Sequence, residues 1–458
     1  MTLIKSISGI RGTIGGGPGD NLTPLDVVKF STAYGMWLKA RTQGDVRVVV
    51  GRDARISGAI IQDLVQSSLQ SLGIDVVDLG LSTTPTVEVA VPMESASGGI
   101  ILTASHNPKQ WNALKLLNEK GEFVSAEDGA VILKIAEDEA FDYAEVDDLG
   151  SATKKDYLQN HIDAVLELST VDRELVRSAG FKVVVDAVNS TGGIYLPALL
   201  RQMGVEVVEL YCEPNGHFPH NPEPLPEHLH DLCSKVIETQ ASLGFVVDPD
   251  VDRLAIVSED GSLFGEEYTL VAVADHVLKT QKGNTVSNLS STRALRDVSE
   301  KHGVDYFASA VGEVNVVEKM KEVSAPIGGE GNGGIIYPEL HYGRDSLVGV
   351  ALFLTHLAQS KLTCSELRKN YKDYFMSKNK IELTPNLDVD HLLISIAQKY
   401  KEQDVDCTDG VKINFDEEWV HLRKSNTEPI IRIYTESTSP QKASALADRF
   451  IKEIGGFL

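Results

Sequence analysis

Three aspartates at alternate positions, Asp248, Asp250 and Asp252, lie in the run Gly244-Phe245-Val246-Val247-Asp248-Pro249-Asp250-Val251-Asp252-Arg253-Leu254-Ala255-Ile256-Val257. Apolar, strand-like residues flank them on both sides, so hard carboxylate oxygens are gathered in one tight loop, the arrangement a hard cation requires. A solvated acidic turn could carry the same residues, but Pro249 stiffens the loop and both flanks are of the buried type. The spacing also invites an EF-hand, with these aspartates at positions 1, 3 and 5 and Glu259 at position 12. That reading fails because the sixth position, which needs glycine for a sharp turn, is Arg253, and because the flanks read as strands where the motif needs helices. A phosphatase using one of these aspartates as its own nucleophile is the other rival.

A serine nucleophile elsewhere would make that rival unnecessary, and Ser105 is the candidate. It follows the apolar strand Gly99 to Leu102 in the turn Thr103-Ala104-Ser105-His106-Asn107-Pro108, which presents its hydroxyl at the edge of a sheet. His106, Lys109 and Lys115 lie within ten residues and could move protons or neutralise an anion. The chain has no Gly-x-Ser-x-Gly elbow here, which argues against an acyl-transfer hydrolase. Two further loops have the composition of ligand sites. Gly328-Gly329-Glu330-Gly331-Asn332-Gly333-Gly334 lets backbone approach a ligand closely while Glu330 and Asn332 offer hydroxyl-binding groups. Arg423-Lys424-Ser425-Asn426-Thr427-Glu428-Pro429, with Arg432 beyond it, mixes guanidinium with small hydroxyl and amide donors, which suits a phosphate dianion.

The elements that must hold these loops alternate strand and helix. Thr23-Pro24 reads as an N-cap with proline at the first helical position, opening a helix to about Ala40. Val46 to Val50 is a strand running into the polar corner Gly51-Arg52-Asp53, and a second helix follows Ser57-Gly58 and ends at Gly73. The same strand-into-corner grammar recurs at Val183 to Asp186, at Phe245 to Asp248 and, more weakly, at Thr285 to Asn288. Continuous apolar strands between helices indicate buried α/β sheets with ligands at the loops beyond the strand ends. Acidic, glycine-poor residues near 136 to 156 and a polar stretch near 376 to 388 read as linkers. The expected division is 1–150, 151–255, 256–375 and 376–458: three similar α/β domains with mixed sheets, then a smaller α+β domain. That last domain reads as strand, a helix over about Val389 to Tyr400, a hairpin turning at Asp416-Glu417, a strand at Ile430 to Tyr434 and a final amphipathic helix.

A chain of 458 residues exceeds what one hydrophobic core supports. No apolar run approaches the roughly 18 residues of a membrane span, and the first residues lack the core of a signal peptide, so a cytoplasmic protein is expected. The formal charge of −23 repels nucleic acid and anionic membranes, so an anionic ligand would need a locally basic pocket. Cys212, Cys233, Cys364 and Cys407 have no CxxC spacing and suggest neither a zinc site nor a disulfide framework.

Taken in order along the whole chain, these motifs resemble the α-D-phosphohexomutase family, which includes phosphoglucomutases, phosphomannomutases and phosphoglucosamine mutases. Ser8-Gly9-Ile10-Arg11-Gly12 is similar to its N-terminal arginine motif, Gly51 to Gly58 to its GRDxRxSG segment, and Thr103 to Pro108 to its phosphoserine loop. Asp186 and Asn189, Pro214 to Pro219, and Pro222-Glu223-Pro224 resemble segments of its second domain. The aspartate loop is similar to its magnesium site, residues 328 to 334 to its sugar loop and Arg423 to Pro429 to its RxSNTxP phosphate loop.

The resemblance implies three α/β domains and a fourth like the TATA-binding protein fold around one cleft. It also implies phosphorylation of Ser105 and one Mg²⁺ per chain, held by that phosphate and by Asp248, Asp250 and Asp252. The implied reaction passes a phosphoryl group from Ser105 to a hexose phosphate, through a bisphosphate that turns over and returns its other phosphate. Arg253 would offset charge on the transferring group, Arg423, Ser425, Asn426, Thr427 and Arg432 would hold the idle phosphate, and Glu330, Asn332 and Gly334 would face the sugar. Lys115 and Arg11, with His106, are the candidates for proton transfer. A hexose 1,6-bisphosphate activator, a sugar-phosphate substrate as the only partner, and a monomer or homodimer are expected.

Two departures stand out. Many members carry Glu-x-Ser-Gly-His in the sugar loop, where this chain has Glu330-Gly331-Asn332-Gly333-Gly334, and the usual Asn-Gly after the serine loop is Asn112-Ala113. The loop resembles an archaeal-like subgroup containing both phosphoglucosamine and phosphomannose mutases. The expected substrate is glucosamine 6-phosphate, with mannose or glucose phosphates as the alternative, then a sugar-phosphate phosphatase or a non-catalytic sensor.

Overall fold

A computed structural model describes residues 2–6, 9–382, 388–424 and 430–455. The chain forms two compact units, one of residues 1–276 with 332–367 and the other of 277–331 with 368–458.

The first unit carries two sheets. In the larger, the strands run in the spatial order Ile4–Ser6, Gly9–Thr13, Trp111–Leu117, Gly98–Leu102, Arg47–Arg52, Asp75–Leu81 and Ala152–Lys154. Its central strands are apolar at successive positions because both faces are covered. Val48 and Val50 pack with the helices Pro24–Arg41, Gly58–Ser71 and Ala126–Asp138, while Val49 packs on the other face with Val87, Ala90 and Val91 of the helix Thr84–Met93. Thr23 caps its helix as its sequence predicts, with Asp26 returning the bond to the Thr23 N–H at 3.1 Å. The helix before Gly73 ends at Ser71, and Gly73, at φ +77°, donates to the Gln70 carbonyl in the closing turn. The segment near 136–156, read as a linker, holds the last helical turn before Asp138, a 3₁₀ turn at Val146–Asp148 and the strand Ala152–Lys154. That strand pairs in parallel with Val76–Asp78 at the sheet's rim, where all three of its residues are exposed and no apolar alternation marks it.

The second sheet runs in the order Leu254–Ser258, Leu243–Val247, Lys182–Asp186 and Glu206–Leu210. Leu243–Val247 and Leu254–Ser258 are antiparallel with Val247 opposite Leu254, so the three aspartates occupy the turn of a hairpin that continues past residue 255.

In the second unit, Thr285–Asn288 pairs in parallel with Tyr306–Ser309 on one side and Ile327–Glu330 on the other. Its C-terminal part is a five-stranded antiparallel sheet in the order Phe375–Glu382, Ile430–Ser437, Trp419–Lys424, Val411–Asn414 and Asp404–Asp406. The helices Val389–Lys399 and Pro440–Gly455 share a single core with Val411, Ile413, Val420, Leu422, Ile431 and Ile433, which puts both on one sheet face. The hairpin turns where Phe415 donates to the Glu418 carbonyl, enclosing Asp416 and Glu417 as the sequence suggests. The polar stretch read as a linker begins with Phe375–Glu382, an edge strand paired along its whole length whose polar alternation reflects a rim position.

His421 lies buried in this unit, its Nε2 at 2.6 Å from the Asp409 carbonyl and its Nδ1 at 2.9 Å from the Ser290 hydroxyl, a pairing that suits the neutral ring. Burial first, then Lys412 and Arg423, pull its pKa down to about 4 against the pull of Asp409. The unfolded chain therefore takes up this proton before the folded one does. The stability that His421 contributes is present above about pH 6.5 and is lost as the pH falls towards about 4. We predict that the unfolding free energy of the wild type relative to His421→Gln shrinks by a few kcal/mol over that window. A difference independent of pH would show that the ring is not held neutral.

Candidate active site

Ser105 sits in the turn after the strand Gly98–Leu102 with a left-handed backbone, φ 48°, and little exposure. Non-glycine residues hold that conformation only where their surroundings impose it. Here Thr103 accepts the Ser105 N–H at 2.9 Å, and the guanidinium of Arg55 donates to the carbonyls of Ser105, Asn107, Pro108 and Trp111. Arg55 is buried and is itself held by Asp53 at 2.9 Å, whose same oxygen accepts from the Thr103 hydroxyl at 2.7 Å. Asp53 and Arg55 belong to the corner Gly51 to Gly58, so this corner acts as a clasp on the serine loop.

The aspartate hairpin meets this turn. The Ser105 hydroxyl donates to Asp248 Oδ2 at 2.7 Å, and the backbone N–H groups of Asp252 and Arg253 donate to Asp248 Oδ1 at 3.1 and 3.2 Å. Thr84, at the start of the helix Thr84–Met93, donates from its hydroxyl to Asp250 Oδ2 at 2.6 Å. Ser190 and Thr191 donate to the Pro249 carbonyl at 2.7 and 2.9 Å, and Val251 is fixed at φ 66°. All three carboxylates are fully buried, and their ligand atoms lie within 4.8 Å of one another.

Three cations face them. Lys115, on the strand Trp111–Leu117, donates to Asp250 at 2.7 Å and Asp252 at 3.3 Å. Arg344 donates to Asp252 Oδ2 at 2.7 Å, and Arg253 reaches Glu223 at 3.3 Å and Asp252 at 3.9 Å. Burial pushes Asp248 well above the ordinary carboxylate range, and Asp252 and Asp250 push it further. For Asp252 burial is outweighed by Arg344, Lys115 and Arg253, which hold it well below that range. Burial lowers Lys115, but Asp250 and Asp252 more than reverse this, and the ammonium is held above the ordinary lysine range. His106 lies with Nδ1 at 3.2 Å from the Ser105 hydroxyl, and burial, then Arg253, pull its pKa down, so it is neutral. Arg11 pairs in register with Ala113 and so shares a sheet face with Lys115; its Nε is buried without a hydrogen bond.

The donor set fits a divalent hard cation. Asp250 Oδ1 and Asp252 Oδ1 are buried and accept no hydrogen bond, and such oxygens are costly unless a cation meets them. With Asp248 they form an all-oxygen set beside the Ser105 hydroxyl.

Asn332 and Gly334 lie in the first unit, where Asn332 Oδ1 accepts from the Gly334 N–H at 3.2 Å. The structure gives Gly334 a packing reason: a Cβ there would come within 2.3 Å of Arg344 Cδ, on the path that takes the guanidinium to Asp252. Glu330 lies in the second unit with Oε1 accepting from Asn288 at 2.8 Å and from the Gly312 N–H at 3.2 Å. Arg423 and Arg432 are directly opposed on adjacent antiparallel strands, Arg423 with Asp409 at 3.2 Å and Arg432 with the Tyr434 hydroxyl at 3.2 Å. Ser425, Asn426 and Thr427 lie outside the described residues. The sequence reading missed Arg344, Thr84 and the clasp role of Arg55. Only for Arg55 was there a local signal, the acid-base pair at Asp53 and Arg55.

Four successive segments match families described as phosphoglucomutase/phosphomannomutase α/β/α domain I (residues 3–143), domain II (159–261), domain III (265–374) and C-terminal domain (385–453). A Thermococcus kodakarensis protein named phosphoglucomutase/phosphomannomutase is 35% identical over 97% of this chain and 96% of its own length. A Methanopyrus kandleri protein named "probable phosphoglucosamine mutase" is 33% identical over 97% of this chain and 96% of its own. Among solved structures, a Burkholderia thailandensis phosphoglucomutase/phosphomannomutase family protein superimposes with a TM-score of 0.85 at 27% identity, covering 99% of this chain and 97% of that one.

The clasp makes a quantitative prediction. Arg55→Met removes the counter-charge of buried Asp53 and the donor shared by the carbonyls of the serine loop. It should cost about 3–5 kcal/mol of stability by chemical denaturation, as breaking a buried ion pair does. A loss below about 1 kcal/mol would mean that these contacts do not hold the loop.

Proposed function

The chain belongs to the α-D-phosphohexomutase family and is an intramolecular phosphotransferase, and from that premise we propose that it interconverts the 6- and 1-phosphates of a hexose through a phosphate on Ser105 and a hexose bisphosphate, with glucosamine 6-phosphate preferred. The observation that carries this reading is the Ser105 hydroxyl at 2.7 Å from Asp248, inside the buried aspartate loop. A serine so placed next to a cation-fitted acidic set is suited to carry phosphate, and it leaves none of the aspartates needing to act as nucleophile.

Magnesium bound by Asp248, Asp250 and Asp252 would supply positive charge to the phosphoryl group in flight. The chain's own residues do the rest. The sugar hydroxyl attacks phosphorus in line as the bond to Ser105 Oγ breaks; its proton leaves with the help of Lys115 and Arg11 and reaches the departing Ser105 oxygen through His106, while Arg253 offsets charge on the oxygens that transfer. In the return step Ser105 Oγ attacks the other phosphate of the bisphosphate and gives up its proton, which neutral His106 faces at 3.2 Å. Lys115 and Arg11 remain the groups assigned to the sugar hydroxyl. Asp250 and Asp252 hold the Lys115 ammonium; a cation on those carboxylates would take over their charge and release Lys115 to that oxygen.

Glu330, with Asn332 and Gly334 of the same loop, is assigned to the sugar, and Arg423, Ser425, Asn426, Thr427 and Arg432 to the idle phosphate. Two guanidiniums directly opposed on neighbouring strands repel, and a bound dianion would relieve that repulsion. A 1,6-bisphosphate would serve as activator by restoring phosphate to Ser105. The sugar preference rests on the loop Glu330-Gly331-Asn332-Gly333-Gly334 and on the name of the Methanopyrus relative; the Thermococcus relative's name favours glucose and mannose phosphates instead.

We predict that Ser105→Ala abolishes interconversion with the fold intact, and full activity in that variant would sink the proposal. Chelation of divalent ions should abolish the same activity and added Mg²⁺ restore it. On one preparation, kcat/KM should be higher for glucosamine 6-phosphate than for the mannose or glucose esters. A preference for mannose above about tenfold, about 1.4 kcal/mol of transition-state discrimination, would overturn the substrate choice. Release of free phosphate matching substrate consumed, with no 1-phosphate formed, would identify a phosphatase.

A further inference from the structure

Away from the aspartate loop, the first unit brings together His161 of the helix Leu158–Leu166, His341, and Asp345, the N-cap of the helix Ser346–Ser360. His161 and Asp345 are fully buried and the His341 side chain is 8% exposed, so water reaches the group from one side only. Asp345 spends one oxygen, Oδ1, on the N–H groups of Leu347 and Val348. Its other oxygen, Oδ2, faces His161 Nε2 at 2.9 Å and His341 Nε2 at 3.3 Å.

The far nitrogens have acceptors of their own within reach. His161 Nδ1 lies 2.8 Å from the Thr86 hydroxyl, which can accept because it can donate onward to Thr83 at 2.6 Å. His341 Nδ1 lies 3.3 Å from Glu88 Oε2, and Gly343 is what lets the carboxylate come so near, since a Cβ there would sit 2.0 Å from that oxygen. Each neutral ring placed with Nδ1–H towards its outer acceptor turns an Nε2 lone pair onto the Asp345 oxygen. In that arrangement three lone pairs converge on one point, where a cation would be held; the opposite tautomers, with each Nε2–H donated to Asp345, would need no ion. Outer carboxylate or hydroxyl partners that fix the tautomer of inward-facing imidazoles are the usual surroundings of metal-bound histidine.

We propose that His161, His341 and Asp345 form a second divalent-metal site, separate from the aspartate loop and suited by its two nitrogens and one oxygen to an ion of the zinc class. The three ligand atoms lie within 4.8 Å of one another, so small ring rotations bring all of them to about 2.0–2.2 Å from one ion, with a fourth position left for water. The site joins the helix Thr84–Met93, through Glu88 and Thr86, to the helix Leu158–Leu166 and to the loop ahead of Ser346. Thr84 and Arg344, the neighbours of these elements, are the groups that hold Asp250 and Asp252. An ion here would stiffen both supports of the aspartate loop.

The test uses full-length protein stripped of metal, with any histidine tag removed and Mg²⁺ in excess to occupy the oxygen site. Co²⁺ should bind at one equivalent with the visible absorption of a nitrogen-ligated, low-coordinate ion, Zn²⁺ should displace it, and Zn²⁺ should raise the thermal midpoint. His341→Gln, at the partly exposed ligand, should lose both responses while keeping its near-ultraviolet circular dichroism. His161→Gln should do the same, and Asp250→Asn should keep both. No absorption and no zinc-dependent shift in the wild type would mean that a proton, not a metal, reconciles the three groups. Responses that survive His341→Gln but vanish in Asp250→Asn would place the ion in the aspartate loop; either result overturns the proposal.

Discussion

Everything in the first unit answers to one electrostatic problem: three carboxylates, Asp248, Asp250 and Asp252, are fully buried in one hairpin turn. Burying even one unpaired carboxylate costs several kcal/mol, and like charges raise that cost. The chain meets it from several directions. Lys115 comes from the first sheet, Arg344 from the loop before the helix Ser346–Ser360, and Arg253 from the hairpin itself, while Thr84 and backbone N–H groups satisfy individual oxygens. The two oxygens left over, Asp250 Oδ1 and Asp252 Oδ1, accept no hydrogen bond, and a cation's charge would complete the balance there. Because these partners come from elements far apart in sequence, the site is assembled only when both sheets are in place.

What could be read in the sequence was local. The aspartate hairpin and the serine turn are each contiguous, flanked by apolar strands, and their chemistry is written in a handful of residues. The clasp was half legible, since Asp53 and Arg55 adjoin, but that Arg55 reaches across to the carbonyls from 105 to 111 depends on sheet order. Arg344 gave no signal at all. It is an arginine in a polar loop until the fold carries it to Asp252, and the glycine that makes room for it, Gly334, reads as part of a ligand loop. The two stretches read as linkers fall between matched domains, and each carries a strand that the sequence did not show: Ala152–Lys154 and Phe375–Glu382 are rim strands, paired through backbone while their side chains meet solvent, so hydrophobic periodicity does not reveal them.

The same electrostatics separate the roles of neighbouring titratable groups. Asp248 and Asp252 stand four residues apart with opposite shifts, the first raised by burial and its acidic neighbours, the second lowered where cations outweigh burial. His106 and Lys115 divide likewise, one kept neutral and the other kept charged. One compact set of loops therefore brings together a serine hydroxyl, a neutral imidazole and fixed positive charge.

Gly334 shows how shape and charge are exchanged in such a site. The residue has no polar side chain and touches no carboxylate, yet the space it leaves is the corridor of the Arg344 guanidinium. A methyl group placed there would alter no charge in the sequence, but it would withdraw a positive charge from Asp252 and let that carboxyl's proton affinity rise. At this position a defect of volume would be felt as a defect of ionisation.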